Sequence, residues 1–280
     1  MNLLEQLALG WHCPLRALRE CFRSALWRPW WPLLAGYVVA LLALAFAAHP
    51  LLSPVMAPVV RLAAGDDALR YPELFRRLPG LWKWAQLALD ALVTPFAAGY
   101  SALLWSERFH GVPLHPAHAR AEMLHRAPKL LLAMLPVTLA TVLGNAALDS
   151  LASVRMSGLS RALAPQAIGA LLFFVRAACF YAVPMVMLDR RGPLRALLVL
   201  PGTLGKGLLP AVVACLLFAL VQAPFAVLLA QPGALAARLP EAVLGVALVS
   251  AFVSVALAGL ASGAGTLLYL SSLLPGEDEE

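Results

Sequence analysis

Two ionisable residues stand in the middle of long apolar stretches, where a charge is costly and has to be matched: Asp90 within 81–104 and Arg176 within 167–188. Polar residues recur around them at helical spacing. Gln86, Asp90 and Thr94 follow at i, i+4 and i+8, one stripe of a helix. Thr138, Thr141, Asn145 and Asp149 form a second stripe within 130–149, and Gln222 is the polar residue of 208–230. Such stripes either line a crevice for a polar solute or bond neighbouring helices across the bilayer. Asp90 and Arg176 lie at similar depth when counted from the same membrane face, so the two are expected to pair. The expected intramembrane polar site is therefore Asp90, Arg176, Gln86, Thr94, Asn145 and Gln222.

Outside the apolar stretches, His115, His118, Glu122 and His125 fall at i, i+3, i+7 and i+10, on one face of a helix opened by Pro116. Imidazoles and a carboxylate on one stripe could hold a transition metal or sense acidification. The spacing places ligands less well than i, i+4, and Arg120, Arg126 and Lys129 repel a cation. The row reads better as an amphipathic helix at headgroup depth, without metal. Cys13, Cys21, Cys179 and Cys215 lack the C-x-x-C spacing of a zinc or redox site. H-E-x-x-H and G-x-S-x-G are missing, and Gly205-Lys206-Gly207 lacks the rest of a phosphate-binding loop. No cofactor is implied.

The elements that must position these residues follow from composition. Hydrophobic residues make up 61% of the 280 and charged residues 13%, with a mean hydropathy of +0.81, far from the usual soluble balance. One globular core cannot hide that much apolar surface, so the solvent is lipid. The net charge of +6 then reports loop charges that set topology and no nucleic-acid partner. Six apolar stretches are long enough to cross a bilayer, near 31–49, 81–104, 130–149, 167–188, 208–230 and 242–270. Backbone hydrogen bonds have to close internally in lipid, so each is a helix. The expected fold is all-α, a single integral membrane domain over 1–280, with six transmembrane helices arranged as three hairpins.

Twelve Lys and Arg residues fall on the side of the termini and the 2–3 and 4–5 loops, against eight on the other side. The bias places both termini in the cytoplasm. The string Pro-Leu-Arg-Ala-Leu occurs at 14–18 and again at 193–197, each time ahead of an odd-numbered span. A looser copy runs from Pro116 through Arg120 and Arg126 to Lys129. Each hairpin is thus expected to follow an amphipathic approach helix lying in the headgroup layer, with Trp27, Trp30 and Trp31 marking the interface at the first span. The segment Pro72–Pro79 reads as a short interfacial turn. Pro95, Pro136, Pro184 and Pro224 invite kinks. Gly259 and Gly263 make a G-x-x-x-G ridge for close helix approach, inside the bundle or to a partner membrane protein or a second copy.

From Gly192 onward the chain resembles the membrane domain fused to some bacterial glycerophosphodiester phosphodiesterases, together with its stand-alone six-span relatives. The resemblance is carried by Gly192-Pro193-Leu194, Ala196-Leu197, the Lys206-Gly207 approach and the closing Leu267-Leu268-Tyr269-Leu270, and the Pro14–Arg28 segment is similar in style. It implies a bacterial inner-membrane protein without established catalysis. The phosphodiesterase barrel is not among these residues, so no catalytic residues carry over. The expected function is a non-enzymatic inner-membrane component, either a permease-like transporter subunit or a protein of envelope homeostasis, with the phospholipid bilayer as its first partner. The alternative is a membrane-embedded enzyme on a lipid or polyprenyl substrate, for which Asp66, Asp67 and Glu73 are the available carboxylates.

Overall fold

The computed structural model describes residues 3–21, 24–153, 159–189, 192–231, 233, 234, 236 and 239–272. The chain is an all-α polytopic membrane protein. Among the described residues, six helical stretches are long and apolar enough to cross a bilayer: Ala25–Ala45, Glu73–Phe109, Ala127–Leu151, Leu163–Met187, Gly207–Ala230 and Pro240–Ser271. Each overlaps one of the six expected spans, although the first ends at Ala45 and the second begins as early as Glu73. We label the helices α1 (Leu3–Glu20), α2 (Trp31–Ala45), α3 (Ser53–Ala64), α4 (Glu73–Phe109), α5 (Pro116–His125), α6 (Ala127–Ser153), α7 (Leu159–Ala178), α8 (Ala182–Met187), α9 (Pro193–Ala230) and α10 (Pro240–Ser272).

Three features differ from the sequence reading. The segment 73–79 is no turn, because α4 runs unbroken for 37 residues from Glu73. Pro79 removes only its own N–H, and the helix closes the remaining backbone bonds that lipid would leave unpaired. Glu73 favours the helix start by meeting the positive end of the helix dipole and pairs with Arg76 one turn on. The third approach segment is likewise no separate helix; 193–206 continues directly into the fifth span as α9. The first and second approach helices, α1 and α5, do stand apart from their spans. Finally, of the four span prolines only Pro184 accompanies a break. The 3₁₀ turn Cys179–Tyr181 separates α7 from α8, whereas α4, α6 and α9 pass through Pro95, Pro136 and Pro224 intact.

The chain packs as two compact units, Met1–Pro29 with Thr94–Leu217 and Gly259–Glu280, and Trp30–Val93 with Phe218–Ala258. In the first, α6 packs along α7 and α8, and the core gathers Ala17, Cys21, Leu26, Leu104, Trp105 and Ala119. Its close contacts rest on glycine. A Cβ at Gly263 would lie 2.6–2.9 Å from the Trp105 indole, and one at Gly259 would lie 2.8 Å from Trp27. The G-x-x-x-G ridge therefore receives two indoles of its own chain. In lipid, where apolar burial offers little, such close packing carries much of the association between helices. The inner face of α1 is small for the same reason: a Cβ at Gly10 would meet Val213 and Pro210 at 2.8–3.0 Å. Its outer stripe of Leu4, Leu7, Trp11, Leu15 and Leu18 is exposed and apolar, as an interfacial helix requires.

In the second unit, α2 meets α4 where Leu89 packs over Gly36 and where Tyr37 and Trp82 stand edge to face, with ring centroids 5.1 Å apart. The short helix α3 buries Ala57 and Val60 while exposing Val55, Val59 and Leu62 on one stripe. That pattern suits a helix lying at the membrane surface.

Candidate functional site

The second unit holds two polar clusters within the spans. Asp90 is half-buried on α4, and the Tyr37 hydroxyl of α2 donates a hydrogen bond to its Oδ1. Gln86, one turn before Asp90, reaches the same hydroxyl. A tyrosine in mid-span has no headgroup to serve, so its hydroxyl needs a partner in the bundle. Tyr37 is the residue the sequence reading missed, and its position away from the ends of the first span was the available signal. The second cluster joins the last hairpin. Gln222 Nε2 of α9 donates to Ser250 Oγ at 3.1 Å and to Ser254 Oγ at 2.8 Å, one turn apart on α10. Gln222 Oε1 is buried and has no hydrogen-bond partner among the described residues. A buried amide oxygen left unmatched costs about 1–3 kcal/mol, and exchanging the amide's O and N would leave the nitrogen unmatched instead.

Of the expected site residues, the structure thus brings Asp90 and Gln86 together and gives Gln222 two serines. Thr94 lies half-buried one turn beyond Asp90, and Asn145 lies half-buried on α6. Arg176 belongs to the first unit and Asp90 to the second. Arg176 is exposed.

The first unit handles charge differently. Pro128 cannot donate to the Leu124 carbonyl, so the chain turns at Arg126 between α5 and α6. That turn aims a buried guanidinium at the end of α8. Arg126 donates to the Val186 carbonyl at 2.9 Å and the Met187 carbonyl at 2.7 Å, and it pairs with Glu122. A cation on the last carbonyls of a helix meets both unpaired acceptors and the negative end of the dipole. At the other end of the six-residue α8, the Tyr181 hydroxyl donates to the Gly207 carbonyl at 2.7 Å. All of α8 is buried. Nearer the surface, Arg108 Nε donates to Glu20 Oε2 at 2.8 Å, tying α4 to α1.

This arrangement takes the histidine row apart. Glu122 is occupied by Arg126, His115 faces Glu107 at 3.7 Å, and among the described residues no three His, Cys, Asp or Glu side chains come together to hold a metal. The 1–2 loop carboxylates are also taken: Asp66 by Arg61 and Asp67 by Arg70, each at 3.2 Å and largely exposed, and Glu73 by Arg76. The four cysteines are free thiols, and burial pushes the Cys13 thiol up to about 11. Comparison with known proteins finds no family model, no curated protein and no solved structure that matches the chain.

Proposed function

We propose that the protein is a non-enzymatic, transporter-like membrane subunit whose polar pathway includes Asp90, Gln86, Gln222, Ser250 and Ser254. The observation that carries this reading is the gathering of an intramembrane carboxylate with neutral hydrogen-bonding groups, Tyr37 and Gln86, on two facing spans. Ionisable residues inside the membrane are rare, and carboxylates there line solute and ion pathways and proton relays. The unmatched acceptor at Gln222 supports the same reading, since a passing solute or water would satisfy it. The enzyme reading loses its support, because Asp66, Asp67 and Glu73 are surface groups each paired with an arginine. The proposal includes a bacterial inner membrane with both termini cytoplasmic, and it takes the likeness to the phosphodiesterase-linked membrane domain as a family hypothesis.

Water access tests it without knowing the solute. In a chain whose native cysteines are replaced, Gln86→Cys and Ser250→Cys are challenged in sealed vesicles with a membrane-impermeant thiol reagent. Labelling at both positions, with none at the lipid-facing Leu92→Cys, is the expected result. Silence at both positions overturns the pathway. Reporter fusions after each loop test the orientation, and an extracytoplasmic signal at Glu277–Glu280 overturns it.

A further inference from the structure

Arg176 lies one residue past the centre of the apolar stretch Leu163–Met187, and it is exposed. A bilayer core about 30 Å thick puts the headgroups about 15 Å from that point, farther than an arginine side chain extends. Snorkelling from that depth falls short of phosphate unless the bilayer thins locally, and an uncompensated guanidinium in hydrocarbon is costly. Among the described residues the ion pairs are made by other cations. The chain's mid-span carboxylate, Asp90, accepts from Tyr37. Pro165, Gly169 and Arg176 share one side of α7 and are all exposed, and the space over Gly169 is open, with nothing within 4 Å of where a Cβ would stand. An open glycine about two turns from a cation at that depth lets another helix come close.

We propose that this side of α7 docks a transmembrane helix of a partner protein that carries an Asp or Glu near its own midpoint. A membrane helix supplies at that depth the counter-charge that the apolar tails do not. This inference rests on reading the chain as a subunit, but it does not depend on the water pathway. A failure of the labelling at Gln86 and Ser250 leaves it standing.

The test has two arms. The full-length chain is purified in detergent, and wild type, Arg176→Leu and Arg176→Lys are melted. A docking residue contributes nothing to the isolated fold, so Arg176→Leu is expected to melt at or above wild type. A lower melting temperature assigns Arg176 to an internal pair, with Asp90→Asn non-additive, and overturns the proposal. In native membranes solubilised gently, wild type and Arg176→Lys are expected to run in a larger species from which Arg176→Leu is lost. The partner's acidic residue is then found in its spans, and Arg176→Asp combined with the reciprocal acid→Arg change is expected to restore the larger species. Four further results contradict the proposal. They are identical mobility of all variants, two differently tagged copies of this chain in the larger species, no rescue by the charge swap, or labelling of Arg176→Cys by an impermeant thiol reagent in native membranes.

Discussion

The two compact units place charged groups in different surroundings. In the first, a charge is buried only with full compensation: the Arg126 guanidinium has Glu122 and two helix-terminal carbonyls. In the second, the Asp90 carboxylate accepts from a phenol that the Gln86 amide also reaches, and Gln222 Oε1 is unmatched among the described residues. The rest of that unit's span residues in 218–230 and 242–258 carry no ionisable side chain. A satisfied charge network fixes one geometry, although the Trp105 indole N–H of the first unit, like Gln222 Oε1 of the second, has no partner among the described residues. On the proposed reading, the comparison sets a scaffold at Arg126 against a site at Asp90.

The sharpest break of that contrast is at Arg126. Replacing it with Leu leaves the Glu122 charge and the α8 carbonyls without their partner, a loss of about 3–5 kcal/mol, read as thermal unfolding in detergent. Arg126→Lys keeps the charge but not the fork that spans two carbonyls, and it recovers only part of the loss. Next in size is Gly263→Ala. Its methyl falls on the Trp105 indole and costs about 1–3 kcal/mol of overpacking, while Gly245→Ala, with open space around it, is neutral or stabilising. Tyr37→Phe removes one hydrogen bond from Asp90 and costs about 1 kcal/mol. Gln222→Leu is smaller still, about 0.5 kcal/mol, because it removes the unmatched oxygen along with its two bonds. If Gln222→Leu destabilises as strongly as Arg126→Leu, the scaffold and the site are not distinct.

One prediction concerns pH. Burial raises the Cys13 thiol from 9.0 to about 11, so the folded state holds the neutral form. Its contribution to stability is complete below pH 9.0 and is lost as pH rises towards about 11. At pH 8 about one Cys13 in a thousand is thiolate, and alkylation by iodoacetamide is expected to run at least about tenfold slower than at an exposed thiol. Alkylation at the ordinary rate would show that α1 does not hold its small-residue face against the bundle.

The spans were legible because length and hydropathy decide them. What escaped was set by partners distant in sequence. Pro79 reads locally as a stop, yet α4 continues through it because lipid penalises a frayed backbone more than one missing bond. Pro184 reads like Pro95 and Pro136, but only there does the chain break, next to Gly265, where a Cβ would lie 3.4 Å from the Phe180 carbonyl. Arg126 counted as one more loop charge, since its role depends on where α8 ends, 60 residues on. Asp90 and Gln86 were legible as a stripe, whereas Tyr37 passed as one more aromatic among apolar residues.

The central claim is that Asp90 belongs to a neutral polar site built with Tyr37. A double-mutant cycle in detergent measures it most directly, with Tyr37→Phe, Asp90→Asn and Arg176→Gln made singly and in pairs. We predict a coupling of about 0.5–2 kcal/mol between Tyr37 and Asp90, with Asp90 and Arg176 additive within about 0.5 kcal/mol. Strong coupling between Asp90 and Arg176, with Tyr37 and Asp90 additive, would contradict the account.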